Sequence, residues 1–416
     1  MDNSLHIKLA KEFGTPLYII NENKIRRACR KFKDAMYKNY GKDSQVLYAS
    51  KALSCIKLYK IINSENMELD VVSGGELYTA LKSGFPMEKI HFHGNNKSLE
   101  ELIMAIDLGV GRIVVDNEEE LEKITNLRKQ CNILIRVRPG IDVTTHSAIK
   151  TGTIDSKFGF SFEESEEVVK KVIKNDKINF KGFHCHIGSQ IFDSKSFEKS
   201  AEIMMDFIGK IFLKLGVKTD ELNLGGGFGV KYTKNDPEPN INEFIFYSSE
   251  KIKQKSIELN IKQPFVYIEP GRGIVAQAGV TLYTVGSIKK TKNETYVIVD
   301  GSMADNPRFT LYRADHEVIN ISEDEFDCSN KKNTIKERVT IAGKCCESGD
   351  IIAKNVEMRI PQIGDILKVR CTGAYNFSMA SNYNKLCRPA MILINDKKAQ
   401  IIVKRQTYDD LISSEL

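Results

Sequence analysis

The chain reads as α/β plus β: a TIM-like (β/α)8 barrel followed by a β-rich, barrel-like C-terminal domain that also takes the N-terminal strand. Three observations predict this. Short β-branched runs recur between Gln45 and Gly271. Most are followed by segments with apolar residues at helical spacing. After Gly271 that alternation gives way to β-branched runs broken by turn residues.

PLYIIN (16–21) is the first expected strand; it precedes the barrel's first helix and can join the C-terminal domain. The eight barrel runs follow as QVLYAS (45–50), ELDVVS (68–73), KIHFHG (89–94), RIVVDN (112–117), NILIRVRP (132–139), NFKGFHCHIG (179–188), ELNLGGG (221–227) and FVYIEPG (265–271). Between them, GGELYTALKSG, SLEELIMAIDLG and NEEELEKITNLRKQ carry apolar residues at helical spacing, and the first two close on glycine. A doubly wound open sheet is the competing architecture, but strand number and length favour the barrel. From about Ile274, GVTLYTVGSIKK, ETYVIVDG, NTIKERVTIAG and DILKVRCTGAY alternate or run β-branched. The expected domains are 1–22 with the β domain, 23–273 as the barrel and 274–416 as the β domain.

At 416 residues the chain exceeds one small core. Its net charge of +6 is mild, and stretches such as EESEEVVKKVIKNDK interleave lysine with glutamate. That pattern describes solvated helix faces and argues against a nucleic-acid partner. No apolar run approaches the ~20 residues of a membrane span. MDNSLHIKLAKEFGTP has no apolar block behind a basic start, so no secretory leader is expected and the cytoplasm is the expected compartment. Nine cysteines, none in a C-x-x-C pair, fit free thiols in a reducing cytosol.

Chemistry in a β/α barrel sits at the C-terminal strand ends. Lys51 follows the first run directly, where a strand-end lysine is most often merely solvated. Opposite a phosphate site it could instead hold a carbonyl cofactor. Gly225–Gly227 bares backbone N–H groups after the seventh strand, and Gly188-Ser189 adds a second such turn after the sixth. Glu269 and Arg272 flank a Pro-Gly turn after the eighth. They read either as an exposed ion pair of little weight or as a carboxylate placed to keep a pyridine nitrogen protonated. His186 is commonly a satisfied core histidine, yet beside a planar cofactor it could stack. A lysine, a phosphate cradle and a carboxylate for a ring nitrogen together specify pyridoxal 5′-phosphate.

In order along the chain, YASKA, HIGSQ, NLGGGFG, EPGR and CCESGD resemble the alanine-racemase-like, fold-type III pyridoxal-phosphate decarboxylases over nearly the whole length. The resemblance implies that Lys51 holds the cofactor. It also implies that Asp70 and His186 lie beside the cofactor, that Ser189, Gly227, Gly271 and Arg272 serve its phosphate side, and that Glu269 pairs with its ring nitrogen. Cys346 matches the family's proton donor. Arg308, Tyr312, Glu347 and Tyr375 match substrate-contacting positions, with Arg272 shared and Tyr375 also touching the cofactor. Phe309 stands where the family often has proline, and Lys344-Cys345 where it often has Pro-Leu, which puts loop conformation in question. The resemblance further implies a homodimer with shared active sites.

Decarboxylation of a small amino acid is the expected reaction. Glu347 suits an ammonium, while Arg308 and Arg272 suit a carboxylate. meso-2,6-Diaminopimelate carries both at its far end and would yield L-lysine and CO2 in the last step of lysine biosynthesis. Ornithine ends in an amine alone and would leave Arg308 without a partner. CCESGD itself admits a redox pair, half a metal site, packing or an acid–base group. A vicinal disulfide is strained, and no Cys/His cluster at zinc-like spacing lies nearby, so no metal is expected. Adjacent residues on a strand would point to opposite faces, leaving Cys346 as acid and Cys345 as packing.

Overall fold

The structure, a computed structural model, describes residues 3–141, 156–322, 335–396 and 398–416. Two residues of NTIKERVTIAG, Asn333 and Thr334, and the ninth cysteine, Cys328, lie outside them. The chain divides into two compact units: Arg26–Val230 with Pro237–Ile274, and Met1–Ile25 with Lys231–Asp236 and Val275–Leu416.

The chain begins with α1 (Asn3–Phe13), β1 (Leu17–Asn21) and α2 (Glu22–Tyr40). Eight parallel strands then close a barrel in sequence order: β2 (Ser44–Ala49), β3 (Glu68–Val71), β4 (Ile90–Phe92), β5 (Arg112–Val115), β6 (Cys131–Arg136), β7 (Ile178–His184), β8 (Glu221–Asn223) and β9 (Phe265–Ile268). All eight fall inside the expected runs or within a residue or two of them. The runs stand out because a barrel strand is buried on both faces, as in Ile113–Val115 and Ile133–Ile135. The first seven strands are each followed by a helix: α3 (Ile56–Ser64), α4 (Gly74–Ser83), α5 (Leu99–Asp107), α6 (Glu118–Leu127), α7 (Phe162–Val172), α8 (Ser194–Leu215) and α9 (Ile241–Glu258).

Helix starts are written locally. Ser98 and Ser161 form capping boxes with Glu101 and Glu164, while Asn117 and Asp193 cap α6 and α8 with their side-chain oxygens. A buried ion pair ties the β4 and β5 ends together. Lys97 Nζ donates to Gly94 O at 2.9 Å, Val114 O at 2.8 Å and Glu120 Oε1 at 2.8 Å, which uses all three of its protons.

The second unit is a nine-stranded mixed sheet made of β1 with β10 (Gly279–Lys290), β11 (Thr295–Val299), β12 (Val318–Asn320), β13 (Glu337–Ala342), β14 (Ile351–Met358), β15 (Ile366–Arg370), β16 (Ala390–Asn395) and β17 (Lys398–Val403). β1 lies antiparallel to β10 and parallel to β16, so the N-terminal strand does join this sheet. The twelve-residue β10 pairs with β1 and β15 along its first half and with β11 along its second. One core gathers Leu17, Ile19, Leu282 and Ile392 with Ile7, Leu9 and Ala10 of α1. A second gathers Tyr283, Val299, Ile341 and Leu367. Sequence reading did not anticipate α1.

The Lys97–Glu120 pair makes a sharp stability prediction. Lys97→Met should lower the unfolding free energy by about 3–5 kcal/mol, because buried Glu120 loses its partner. Adding Glu120→Leu should recover most of that loss in urea titrations. A single variant as stable as the parent would show that the pair contributes nothing.

Candidate active site

The strand register sets polar residues level with one another at the barrel's C-terminal end. Arg136 of β6 pairs with His184 of β7, and His184 with Asn223 of β8. Asp70 of β3 is level with Ala49 of β2, and His93 follows β4 directly. Glu269 follows β9, and its carboxylate is buried with these side chains around it. Asn223 Nδ2 donates to Glu269 Oε1 at 2.7 Å. His184 Nε2 lies 3.2 Å from Oε2. His93 Nε2 lies 2.9 Å from Oε1 and 3.8 Å from Asp70 Oδ1.

Burial raises the pKa of any carboxylate, but at Glu269 the two imidazoles outweigh it and hold the group well below its usual range. Burial pushes both His93 and His184 down, so they remain neutral at pH 7. Burial pushes Asp70 up to about 6, against the pull of His93. His186 is held well below its ordinary value, first by burial and then by Lys51 and Arg136.

The glycine turn is built from the same residues. Asn223 Oδ1 accepts from Gly225 N at 2.9 Å, and His186 Nδ1 accepts from Gly226 N at 3.1 Å. A Cβ on Gly226 would run into the Glu269 carbonyl, and one on Gly227, at φ +103°, into the Gly188 carbonyl. Lys51 is exposed in a single turn, Ser50–Ala52, directly after β2. Glu76 pins that turn, accepting from Ser50 Oγ at 2.6 Å and Val72 N at 2.8 Å. Ala49 N donates to Pro270 O at 3.4 Å, which joins the first strand end to the Glu-Pro-Gly-Arg turn. Glu269 and Arg272 do not form the exposed ion pair weighed from the sequence. Both are buried, and Arg272 Nη2 donates to Ser189 Oγ at 3.0 Å. Gly271 precedes the short helix Arg272–Val275. One barrel end thus gathers Lys51, Asp70, His186, Ser189, Gly227, Glu269, Gly271 and Arg272.

Arg308, Tyr312, Cys346, Glu347 and Tyr375 all belong to the β-rich unit. Arg308 and Tyr312 share one face of the turn Arg308–Tyr312, four residues apart. Arg308 is buried; its Nη1 donates to Tyr232 Oη at 2.5 Å and its guanidinium lies 4.6 Å from that ring's centroid. CCESGD lies on the link between β13 and β14, not on a strand, because β13 ends at Ala342. The two thiols still diverge: Cys345 is buried and Cys346 is exposed. Cys346 N donates to Asn384 Oδ1 at 2.9 Å, Thr310 Oγ1 to Gly349 O at 3.0 Å, and Ser381 N to Ala304 O at 2.8 Å. These bonds bind NPRFTLY, CCESGD and the segment after Tyr375 into one cluster. Tyr375 itself has φ +69°, a left-handed backbone that a tyrosine rarely adopts.

The chain as a whole is similar to known proteins. A family profile described as "Pyridoxal-dependent decarboxylase, pyridoxal binding domain" matches residues 22–276, and the chain belongs to that family of pyridoxal-dependent decarboxylases. Within it the relatives are specific. Diaminopimelate decarboxylase of Bacillus subtilis is 43% identical, over 98% of this chain and 93% of that protein. The crystal structure of diaminopimelate decarboxylase from M. jannaschii with L-lysine superposes with a TM-score of 0.90 at 35% identity, over 99% of this chain and 94% of that one. The Helicobacter pylori enzyme with L-lysine gives a TM-score of 0.88 at 29% identity, over 99% of each chain.

Pyridoxal 5′-phosphate is therefore the cofactor, and the barrel end suits it. The Gly225 and Gly226 N–H groups are not bare, as the sequence suggested, but the glycine turn leaves a space that no side chain fills, beside a buried carboxylate. Asp70 Oδ1 is buried without a hydrogen-bond partner. Among the described residues His93, His184 and Glu269 also offer three ligand atoms within 4.8 Å of one another. Asn223 and His184 already hydrogen-bond that carboxylate, one at each oxygen. Sequence reading missed His93, His184, Asn223 and Tyr232. His93 and His184 sat inside quoted strand runs, and alignment of strand ends was the one signal that could have found them.

The raised Asp70 pKa has a definite sign. The folded chain holds this proton to a higher pH than the unfolded chain, so its stabilising effect is full below the ordinary carboxylate range and lost as pH rises through about 6. The linkage amounts to about 3 kcal/mol. In cofactor-free protein, the stability difference between wild type and Asp70→Asn should move by roughly that amount from pH 4 to pH 7, in favour of the variant. A difference independent of pH would contradict it.

Proposed function

We propose that this chain decarboxylates meso-2,6-diaminopimelate to L-lysine and CO2. One observation carries the reading: a buried carboxylate follows β9 beside a glycine turn closed to side chains, in a chain whose relatives along nearly its whole length are diaminopimelate decarboxylases. Bound pyridoxal phosphate supplies an electron sink for the pair left behind when CO2 departs. Lys51 is the amine that holds it. The Gly227 amide and the Gly271–Arg272 turn, with Ser189, bind phosphate oxygens. His186 stacks on the ring, Asp70 lies beside it, and Glu269 faces the ring nitrogen, where negative charge favours the protonated form. Cys346 delivers a proton to the substrate Cα. A thiol can hand a proton directly to a carbanion held within reach.

At the far end of the substrate, Arg308 and Arg272 receive the carboxylate, Glu347 the ammonium, and Tyr312 and Tyr375 add hydroxyl contacts. The Tyr232 stack supports this role, since it holds the Arg308 guanidinium in a fixed plane. The described cysteines are all free thiols, which supports a cytoplasmic enzyme, and no described helix is long and apolar enough to cross a membrane. The direct test is CO2 release by purified protein with pyridoxal phosphate and a panel of amino acids. Diaminopimelate should be turned over and ornithine hardly at all. Arg308→Ala should cut kcat/KM for diaminopimelate by several kcal/mol of transition-state binding and any ornithine turnover far less. Equal losses would assign Arg308 to the fold.

The active form is a homodimer in which each site draws Lys51 from one subunit and Cys346 from the other. This rests on the family resemblance and on the separation of the two residues into different compact units. Mixing inactive Lys51→Ala protein with inactive Cys346→Ala protein under subunit exchange should restore activity, because one site of each mixed dimer is intact. Exchange without recovered activity would mean that both residues act within one chain.

A further inference from the structure

Glu269 is served in an unusual way. Its contacts come from the ends of three strands: His93 after β4, His184 on β7 and Asn223 on β8. None of the three is a permanent cation. Buried carboxylates in structural roles usually pair with one, since an opposite charge offsets desolvation most directly. Lysine and arginine are close enough to act on this cluster, yet neither Lys51 nor Arg136 forms an ion pair with Glu269; Arg136 pairs instead with Asp116 at 3.3 Å. The two imidazole rings pack edge to face, 4.7 Å between centroids, so each fixes the plane of the other.

We propose that His184 is a positioning residue for the reaction: as an Nε2–H donor, its ring packed edge to face against that of His93, it holds the Glu269 carboxylate in one orientation with its charge undiminished, so that it keeps the cofactor's ring nitrogen protonated. The proposal rests on the reading that Glu269 faces that nitrogen. A cationic donor would spend part of the carboxylate's charge within the protein, and the ring nitrogen would lose its proton more easily. A neutral N–H aligns the same oxygens and leaves the charge available. Asn223 completes the arrangement, because the amide that donates to Glu269 belongs to the side chain that accepts from Gly225 N. Carboxylate and glycine turn are thereby set at a fixed separation.

The groups that face the cluster from each strand end are Lys51 after β2, Asp70 on β3, Asp116 after β5, Arg136 on β6, and Cys185 and His186 after β7. The cations and the carboxylates partly offset each other. Burial then keeps both imidazoles neutral.

The test loads the holoenzyme with pyridoxal phosphate carrying 15N in its ring and follows the ring-nitrogen shift from pH 6 to pH 9. Wild type should stay protonated throughout, and Glu269→Gln should lose that proton. His184→Phe keeps a flat ring but removes the donor, and should lower the proton affinity of the ring nitrogen by tenfold or more. His184→Gln restores an N–H and should recover most of it. A His184→Phe enzyme that titrates like wild type while Glu269→Gln does not would overturn the proposal alone. A Glu269→Gln enzyme that titrates like wild type would overturn the ring-nitrogen reading and the proposal with it. A measurement on wild type alone guards against misfolded variants: 15N-histidine spectra should show the His184 imidazole neutral, with the proton on Nε2, between pH 6 and pH 8. An imidazolium, or a proton on Nδ1, would overturn it.

Discussion

The barrel end is organised around one electrostatic constraint, a carboxylate taken out of water at the end of β9. An unpaired buried anion costs several kcal/mol or takes up a proton. Glu269 escapes both because neighbouring strand ends supply donors at 2.7 to 3.2 Å. That supply depends on register: a slip of one residue in β7 or β8 would turn His184 or Asn223 to the opposite face. Strand pairing and site chemistry are therefore enforced by the same contacts.

The backbone imposes a second constraint of a different kind. At the β8 and β9 ends the chain passes so close to neighbouring carbonyls that side chains are excluded at Gly226 and Gly227. The turn is fixed in place because the Gly225 and Gly226 amides donate to Asn223 and His186. In the β-rich unit rigidity comes from hydrogen bonds between loops, since Arg308, Cys346 and Tyr375 sit outside regular strands. Cys346–Asn384, Thr310–Gly349 and Ser381–Ala304 supply there what strand pairing supplies in the barrel.

The eight barrel strands were legible because strands buried on both faces leave uninterrupted apolar runs, and their ends pointed straight at Lys51, the glycine turn and Glu269. The groups around Glu269 were not legible. His93 and Asn223 are single polar residues whose partners lie far along the chain, and no local spacing relates them. Tyr232 was hidden for the same reason: its partner Arg308 follows after many residues, and nothing near Lys231–Asp236 signals that the segment leaves the barrel unit. α1 escaped because its burial depends on β strands distant in sequence. The CCESGD segment was legible in composition but not in conformation. The strand before it stops at Ala342, and Asp350 gathers the loop by accepting from Cys345 N at 2.7 Å and Met303 N at 2.6 Å.

The position of β1 sets an order of events during synthesis. It is flanked by strands that begin at Gly279 and Ala390, so both of its edges stay unmatched until most of the polypeptide has left the ribosome. At about 5–20 residues per second that wait is on the order of tens of seconds. Meanwhile Leu17, Ile19 and Ile20, all buried in the finished protein, are exposed on a segment able to pair with any open strand edge. The barrel's strands are all made before Gly279, so that unit can complete its pairing during the interval. A nascent chain of this kind gains from anything that shields its first twenty-odd residues, and tags or truncations there should weigh on yield more than on the activity of the molecules that succeed.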